Sequence, residues 1–465
     1  MPIGSRKNRG GGDYVFVNGK AVRADEVANA APTAPSESSV PGQEEAASVP
    51  GAAEASGEKK PRKKWSAKRS LQQMETSGAF DLNEDFAISL ERAVNLNAEE
   101  RRKNRRATFV MGGILLVLIA ASLCISINEV GKFYDPATVV AALATRVKLA
   151  VGQLFSLPYY TALSAQEANA AIPGYADIAS RFDTTVVTVV CGFLLALAGM
   201  MYQNVFKNPI ASPTMLGVNA GVRIGTIILV ILFGEAATYM EGARYALCYV
   251  GGIIIILLVI GASKLMAGKG RQINVVDMLI VGSVIAQFLQ VVTTFFLTYV
   301  LDDDAYEIFY ELTSGMRTDT EWTAFVFLAI VVVISVVPVF MMRFRLNVVA
   351  FDDSDAKMLG VDPQRTRVVV LVLGTIMILA AQIHVGVISM VALVVPFLVR
   401  YIVGSEFGKQ MVGNMILGPM LLLVCRDVCS MIEFVGGGLS LEMVVGIVAL
   451  PLYIWMMALG KRGWE

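Results

Sequence analysis

The 465-residue chain carries no formal net charge, and 55% of its residues are hydrophobic while only 17% are charged. Since an ordinary soluble chain is about half apolar and about a quarter charged, this composition argues against a soluble enzyme. Residues 1–106 hold much of the charge, whereas 107–465 consists mostly of long apolar runs with room for roughly ten bilayer-spanning helices of about 20 residues each. One histidine, His384, excludes a multi-histidine metal site, and all five cysteines lie in apolar runs, which argues against a disulfide framework.

Residues 1–106 are predicted to form a cytoplasmic, largely disordered N-terminal extension. The segment 31–60 is rich in Ala, Pro, Ser, Gly and Glu and has too little apolar surface to offset the entropy of ordering. An Asn-Gly pair at 18–19 favours a short hairpin, and apolar residues at helical spacing from Phe86 to Leu96 predict a helix. The extension is either dispensable or a docking or regulatory arm.

Residues 107–465 are predicted to form a transmembrane domain with ten spans. Basic residues at 101–106 precede the first span, which places the N-terminus in the cytoplasm, and an even number of spans returns the C-terminus there. The loop 301–321 is acidic and is predicted to lie outside, and 128–182 is predicted to carry an amphipathic helix on the outer surface. The predicted spans are 107–127, 183–204, 213–233, 243–265, 275–300, 322–342, 368–386, 387–403, 411–431 and 441–459.

The strongest motif covers residues 203–221, between the second and third predicted spans. Its Asn-Pro and Ser-Pro pairs force a turn, because the residue before proline avoids the helical region. The second proline suits the first turn of a helix, and two glycines four residues apart on one face allow that helix to approach another closely. We expect these residues to build a scaffold rather than a reaction centre. The residues of this turn and packing motif are Asn208, Pro209, Pro213, Gly217 and Gly221.

Further blocks follow in chain order at 345–361 and 385–396, with an Asp at 427 and a Pro-x-x-x-Trp ending at 451–455. Together with the pattern Q-x-x-x-x-N-P-x-A-x-P-x-x-L-G-V-x-x-G of 203–221, they resemble the FecCD-type permeases of ATP-binding-cassette importers for iron–siderophore chelates, heme and cobalamin. The resemblance covers about 107–463 and leaves the N-terminal extension outside.

The resemblance implies an all-α polytopic membrane protein with the fold of a type II importer permease and about ten transmembrane helices per subunit. It also implies a bacterial inner-membrane location, a dimer with the pathway at its interface, an extracytoplasmic substrate-binding protein and two ATP-binding subunits inside. The chain itself lacks the Walker A sequence G-x-x-x-x-G-K-[ST]. We therefore expect no enzyme activity, metal, cofactor or nucleic-acid binding in this chain, with ATP and Mg used by the partner ATPase.

In the family, the loop between the sixth and seventh helices, here about 346–367, couples the permease to its ATPases. Acidic residues favour the N-terminus of a short helix here, a glycine stops it, and a proline begins a second short turn. The alternative is a merely solvated loop. The predicted coupling residues are Asp352, Asp355, Lys357, Leu359, Gly360 and Pro363.

Several positions depart from the family pattern or carry polar groups in spans. The outer Arg-Leu-Pro-Arg of the family reads Arg-Phe-Asp-Thr here, which leaves Arg181 as the candidate for docking the binding protein. Arg426 and Asp427 are predicted to form a local structural ion pair or cap.

Glu442 replaces a usual glycine and lies either at the mouth of the pathway or at the membrane boundary. Gln287 and Gln290 on the fifth span either line the pathway or form hydrogen bonds between helices.

The sequence thus predicts the permease subunit of an importer for an iron siderophore or related metal chelate. An ion-coupled secondary transporter is the alternative, although such proteins need titratable groups near mid-membrane and the spans here are nearly free of central carboxylates. A receptor that kept the permease fold is a third hypothesis, motivated by the N-terminal extension alone. The cargo and the choice between homodimer and heterodimer stay open.

Overall fold

The chain divides into two compact units, Met1–Thr76 and Ser77–Glu465. The boundary predicted at 106/107 falls inside the second unit, and the segment 31–60 predicted to be disordered lies outside the described residues. The computed structural model describes residues 14–17, 20–23, 84–126, 132–155, 168, 170–268, 275–314, 322–349, 353–434, 437–438 and 440–460.

The described part of the first unit is a two-stranded antiparallel hairpin. Strand β1 (Tyr14–Val17) pairs with β2 (Lys20–Arg23) so that Val17 lies opposite Lys20. This register leaves two residues, Asn-Gly, between the strands, which is the pair that favours tight hairpin turns. The predicted hairpin is confirmed.

The described part of the second unit is built from helices, with one short antiparallel pair of strands, β3 (Glu433–Phe434) and β4 (Gly437–Gly438), before the last helix. In chain order the helices are α1 (Glu84–Leu123), α2 (Pro136–Phe155), α3 (Tyr175–Val205), α4 (Val218–Phe233), α5 (Glu241–Ala267), α6 (Val275–Tyr299), α7 (Asp303–Ser314), α8 (Trp322–Met341), α9 (Arg343–Val349), α10 (Asp353–Met358), α11 (Pro363–Val385), α12 (Met390–Val403), α13 (Phe407–Met431) and α14 (Leu441–Gly460).

The ten predicted spans each coincide with an apolar helix. Eight of the described helices are long and apolar enough to cross a membrane, and two further apolar helices, α12 and α14, coincide with the other two predicted spans. The all-α polytopic fold class is confirmed. The first span differs in one respect, because α1 runs unbroken from Glu84 through the boundary predicted at 106/107.

Helix α3 forms the centre of the membrane unit. It packs against α11, α12 and α13, and its residues from Leu194 to Leu197 are fully buried. A helix that is apolar on all sides is stable only when other helices surround it. The core therefore lies around α3, and the outer helices α1, α5, α6 and α8 expose large apolar side chains.

Two of the helices start inside the bundle rather than at its surface. Helices α4 and α12 have 16 and 14 residues, which gives lengths of about 24 and 21 Å against a hydrocarbon thickness of about 30 Å. Irregular segments precede them at 206–217 and 386–389, and Gly217 lies against Ile255 and Ala286 near the middle of α5 and α6. The third span, predicted as one continuous helix over 213–233, is therefore interrupted at Gly217.

The break has a local cause and a buried connection. Pro213–Leu216 forms a single 3-10 turn, and Gly217 then adopts φ +74°, a left-handed conformation that glycine accepts without steric cost. The Gln382 amide nitrogen donates to the Asn219 side-chain oxygen (2.7 Å) and to the Ile388 carbonyl (3.3 Å), and so joins the first turn of α4 to the irregular segment before α12. Irregular backbone at membrane depth requires such burial in protein.

Gly221 is expected to tolerate no side chain. A Cβ atom there would lie 2.5 Å from the Gly252 Cα atom of α5, whereas a Cβ atom at Gly261 of the same helix would meet nothing within 4 Å. Gly221→Ala should lower the free energy of unfolding by about 1–3 kcal/mol through overpacking. The matched change Gly261→Ala should be neutral or stabilise by up to about 1 kcal/mol. Thermal unfolding in detergent measures both, and equal midpoints for the two variants would contradict this packing.

Two helices lie within the segments that the sequence predicts to be outside the membrane. Helix α2 is the amphipathic helix predicted within 128–182, and its Arg146 pairs with Asp183 of α3 at 2.7 Å. Helix α7 lies in the acidic segment 301–321, which we predicted as a loop. Its N-terminus is capped by Asp302, whose carboxylate accepts from the Ala305 N–H (2.9 Å), and Phe309 is buried beside the end of α4.

Candidate functional site

The predicted coupling loop consists of the two short helices α9 and α10, followed directly by α11. Helix α9 is fixed to α13, because the Asn347 side-chain oxygen accepts from the Phe407 N–H (2.9 Å). Asp362 caps α11 by accepting from the N–H groups of Gln364 and Arg365, with Pro363 in the first helical position. Pro363 therefore begins the long helix α11 rather than the second short turn that we predicted.

Helix α10 ends in an exposed apolar tip. Asp355 lies in its first turn and Lys357 in its last, and Gly360 at φ +76° ends it. Ala356 is buried, whereas Met358 and Leu359 are 84% and 64% exposed. An exposed pair of large apolar residues at the end of an anchored helix is a surface suited to binding another protein. Asp352 lies outside the described residues.

Asp353 anchors α10 to two long helices. Its carboxylate accepts two hydrogen bonds from the Arg367 guanidinium of α11 (2.5 and 2.9 Å) and lies 3.7 Å from the Lys207 ammonium at the end of α3. Partial burial raises the pKa of Asp353, but the paired Arg367 and Lys207 outweigh it and hold the pKa below its ordinary value. The carboxylate is therefore charged at neutral pH, and the anchor weakens only under acidic conditions, as pH falls through this lowered pKa.

Lys207 reaches this position through the way in which α3 ends. It is the one described non-glycine residue with positive φ (48°). The next N–H, of Asn208, donates to the Gln203 carbonyl (3.1 Å), which closes the helix end in the manner usual for a left-handed terminal residue. The Asn208 side chain then accepts from the Ile210 N–H (3.0 Å), so the motif predicted at Asn208–Pro209 forms a compact turn beside α10.

Removing the charge at Asp353 should loosen α10 locally. The Arg367 side chain is largely buried and the Asp353 side chain is one-third exposed, so we expect Asp353→Asn to cost the local structure about 1–2 kcal/mol, roughly a 5- to 30-fold rise in opening. Hydrogen exchange of residues 353–360 measures this. Asp355→Asn, on the exposed side of the same helix, is the control, and equal exchange in the two variants would contradict the anchor.

The two glutamines predicted to line a pathway lie on an uncovered face of α6. Gln287 and Gln290 are both exposed, together with Phe288 and Val291. This face is therefore available to a second subunit, to water or to lipid. Glu442 begins α14, and its carboxylate accepts from the Arg223 guanidinium of α4 at 3.2 Å. Arg223 is not among the residues predicted from the sequence, although a lone arginine in an apolar run is a signal for a functional position.

Arg181 occupies a position that contradicts its predicted docking role. Its side chain is only 2% exposed and forms an ion pair with Asp427 at the end of α13. It also donates to the Ser122 carbonyl (3.0 Å) and hydroxyl (3.1 Å) of α1. A separate protein could not reach this guanidinium without separating three helices, so Arg181 holds those helices together.

The predicted Arg426–Asp427 pair is also rearranged. Asp427 pairs with Arg181, while the buried Arg426 donates to the Thr188 hydroxyl (3.2 Å). His384 stacks on Tyr245 and Phe327, with ring centroids 5.5 and 5.8 Å away. Among the described residues, no group of three metal-ligating side chains is present.

The chain is similar to known membrane transport proteins. The profile of the FecCD transport family matches residues 115–458. The Fe(3+) dicitrate transport system permease protein FecC of Escherichia coli (strain K12) is 29% identical over 286 residues, which cover 61% of this chain and 82% of that protein. The ferric enterobactin transport system permease protein FepD of the same organism is 25% identical over 69% of this chain and 93% of its own length.

A hemin transport system permease protein, HmuU of Yersinia pestis, is 24% identical over 60% of this chain and 81% of its length. Among solved structures, an inward-facing metal-chelate type ABC transporter superimposes with a TM-score of 0.58 at 17% identity, and covers 76% of this chain and 99% of the other. That likeness shows the fold.

Proposed function

The chain belongs to the FecCD transport family, and on that premise we propose that it carries an iron siderophore or a related metal chelate as the permease subunit of an ATP-driven importer. Membership makes it a membrane-spanning transport subunit rather than an enzyme, and it confirms the resemblance drawn from the sequence blocks. Ferric dicitrate, ferric enterobactin and hemin are named for its relatives. A ferric chelate is accordingly the cargo class that we propose here.

The observation that carries the coupling part of this proposal is the exposed tip of α10. Met358 and Leu359 project from a helix whose base is fixed by Asp353 to both α3 and α11. A force applied to this tip would act on two of the most buried helices of the bundle, because helices are stiff along their axes. We propose that the importer has two separate ATP-binding subunits, which use ATP and Mg, and that one of them docks at this tip.

The uncovered face of α6 supports a second permease subunit. Polar side chains in a span face protein or water rather than lipid, and Gln287 and Gln290 are exposed in the single chain. We propose that a second permease, identical or related, packs beside this face and that the two glutamines line the pathway between them. Because Arg181 is buried, we propose that the binding protein docks on other residues.

We further propose a location in the bacterial inner membrane with both termini in the cytoplasm. Arg102, Lys103, Arg105 and Arg106 begin the first span of α1, and basic residues beside a span are retained in the cytoplasm. The tip of α10 then lies on the same side as these residues, where ATP-binding subunits are found.

Affinity purification followed by reconstitution tests the proposal. The tagged chain should co-purify with an ATPase that has a Walker A motif, and the complex in proteoliposomes should import a ferric chelate only with ATP and the binding protein. Uptake that persists with a Walker A variant of the ATPase but collapses with a protonophore would instead support an ion-coupled transporter. Omitting the binding protein gives the matched control.

A further inference from the structure

The ion pair between α4 and α14 is much more exposed than the one between α3 and α13. Arg223 lies in the second turn of α4 and Glu442 in the first turn of α14, and their charged atoms are 3.2 Å apart. The side chains are 26% and 47% exposed. The Arg181–Asp427 pair, by comparison, is 2% and 15% exposed and holds three helices together.

The surroundings of this pair are apolar and uncovered. Both residues belong to apolar helices of the membrane unit, and Met443 and Ile447 beside Glu442 on α14 are exposed. Charges within a span face protein or a water-filled space, because contact with lipid is costly. The exposed sides of Arg223 and Glu442 therefore mark a wet surface rather than a lipid-facing one.

The pair also lies close to the break before α4. Arg223 follows Gly217 by six residues, about 9 Å along the helix, and that break lies beside the middles of α5 and α6. In transporters, helices interrupted near mid-membrane form the binding sites for cargo. Arg223 thus lies within about one and a half to two turns of a helix break of the kind that forms such sites.

The chemistry of the pair favours an exchange of partners. A half-exposed ion pair with a single contact is worth only about 0–1 kcal/mol. A guanidinium binds a carboxylate or another planar anion with two parallel hydrogen bonds, which is stronger than one bond to Glu442. An anion with several oxygens can therefore displace Glu442 at little energetic cost.

We propose that Arg223 is a specificity-determining residue that binds anionic oxygens of the carried chelate, with Glu442 as its counter-ion until the chelate arrives. The inference rests on the proposed importer function and narrows it to chelates of net negative charge, such as ferric complexes of carboxylate or catecholate ligands. Glu442 neutralises the charge of Arg223 until the chelate arrives and disfavours uncharged cargo, which cannot replace the ion pair.

The test uses the complete complex in proteoliposomes, with ferric citrate and ferric enterobactin as anionic probes and ferrichrome as an uncharged one. For the anionic probe that the wild type imports, Arg223→Ala should raise KM at least about tenfold with a smaller change in kcat, and Arg223→Lys should recover part of the loss. Glu442→Gln should lower KM, because the competing carboxylate is removed.

The double variant Arg223→Ala/Glu442→Gln separates cargo binding from a structural role. If Arg223 binds cargo, the double variant should be as defective as Arg223→Ala. Recovery towards wild-type KM would show a purely structural pair and overturn the inference, as would wild-type import of ferrichrome alone. Co-purification of the ATPase checks assembly of every variant. If the wild-type complex imports no chelate with ATP, the proposed function itself is contradicted. Normal import by Arg223→Ala would contradict only the role proposed for Arg223.

Discussion

Leu359→Asp is expected to leave the chain folded and membrane-inserted while lowering ATPase stimulation and transport at least about tenfold. Leu359 is 64% exposed at the tip of α10 and so contributes little to the core. If an ATPase subunit covers this tip, the variant loses the burial of a leucine, about 1.5–3 kcal/mol, and places a carboxylate in an apolar contact. A loss of 1.4 kcal/mol already corresponds to tenfold weaker binding.

The measurement is ATP hydrolysis by the reconstituted complex, together with the amount of ATPase that co-purifies. Tyr239→Asp provides the matched control, because Tyr239 is even more exposed but lies in the connection between α4 and α5, away from the α9–α10 segment. Normal stimulation by Leu359→Asp would refute docking at this tip. A fall in Leu359→Asp with normal activity in Tyr239→Asp would place the ATPase on α10.

The second large effect is expected for Asp427→Ala, which should destabilise the membrane unit by about 3–5 kcal/mol. Arg181 is almost fully buried, and removing Asp427 takes away the carboxylate that pairs with its charge, which is the costly way to break a buried ion pair. The free energy of unfolding in detergent and the yield of folded protein measure this loss. Replacing both charges by leucine should recover much of the stability, since an apolar pair often substitutes well for a buried ion pair.

The single variant Arg181→Leu decides the role of Arg181. If Arg181→Leu lowered the affinity for the binding protein without lowering the unfolding midpoint, the docking role predicted from the family pattern would be restored. We expect the opposite, a lower unfolding midpoint, because Arg181 also donates two hydrogen bonds to Ser122 of α1.

Sequence reasoning located the membrane helices well because each span is a long apolar run. The family resemblance, and with it the permease function, followed from turn residues such as Asn208–Pro209 and Gly217, whose chemistry is local. It failed where tertiary contact decides. Pro213 suggested the start of a span, but Pro213–Leu216 forms only a single 3-10 turn. Gly217, which packs against α5 and α6, adopts a left-handed conformation there, and the helix begins at Val218.

The site residues show the same division. Helix α10 could be predicted from its acidic start and its terminal glycine. Its anchors could not, because Lys207 and Arg367, the partners of Asp353, lie 146 and 14 residues away along the chain. Arg181 was assigned by analogy to the surface, because a sequence does not display that three helix ends meet around it. Helix α7 was missed because its charges concealed the spacing of Phe309 and Leu312, although Asp302 gave a readable cap.

Helix α1 has a consequence for any change made to the segment before the first span. It is continuous over 40 residues, of which only Arg102–Leu123 is counted as a span, so residues 84–101 extend the same helical axis by about 27 Å beyond it. The direction in which this segment faces is therefore set by the packing of the span against α13, α3 and α12. One inserted residue between the two parts would turn the projecting segment by about 100°, whereas seven would restore its direction to within about 20° and move it about 10 Å further out.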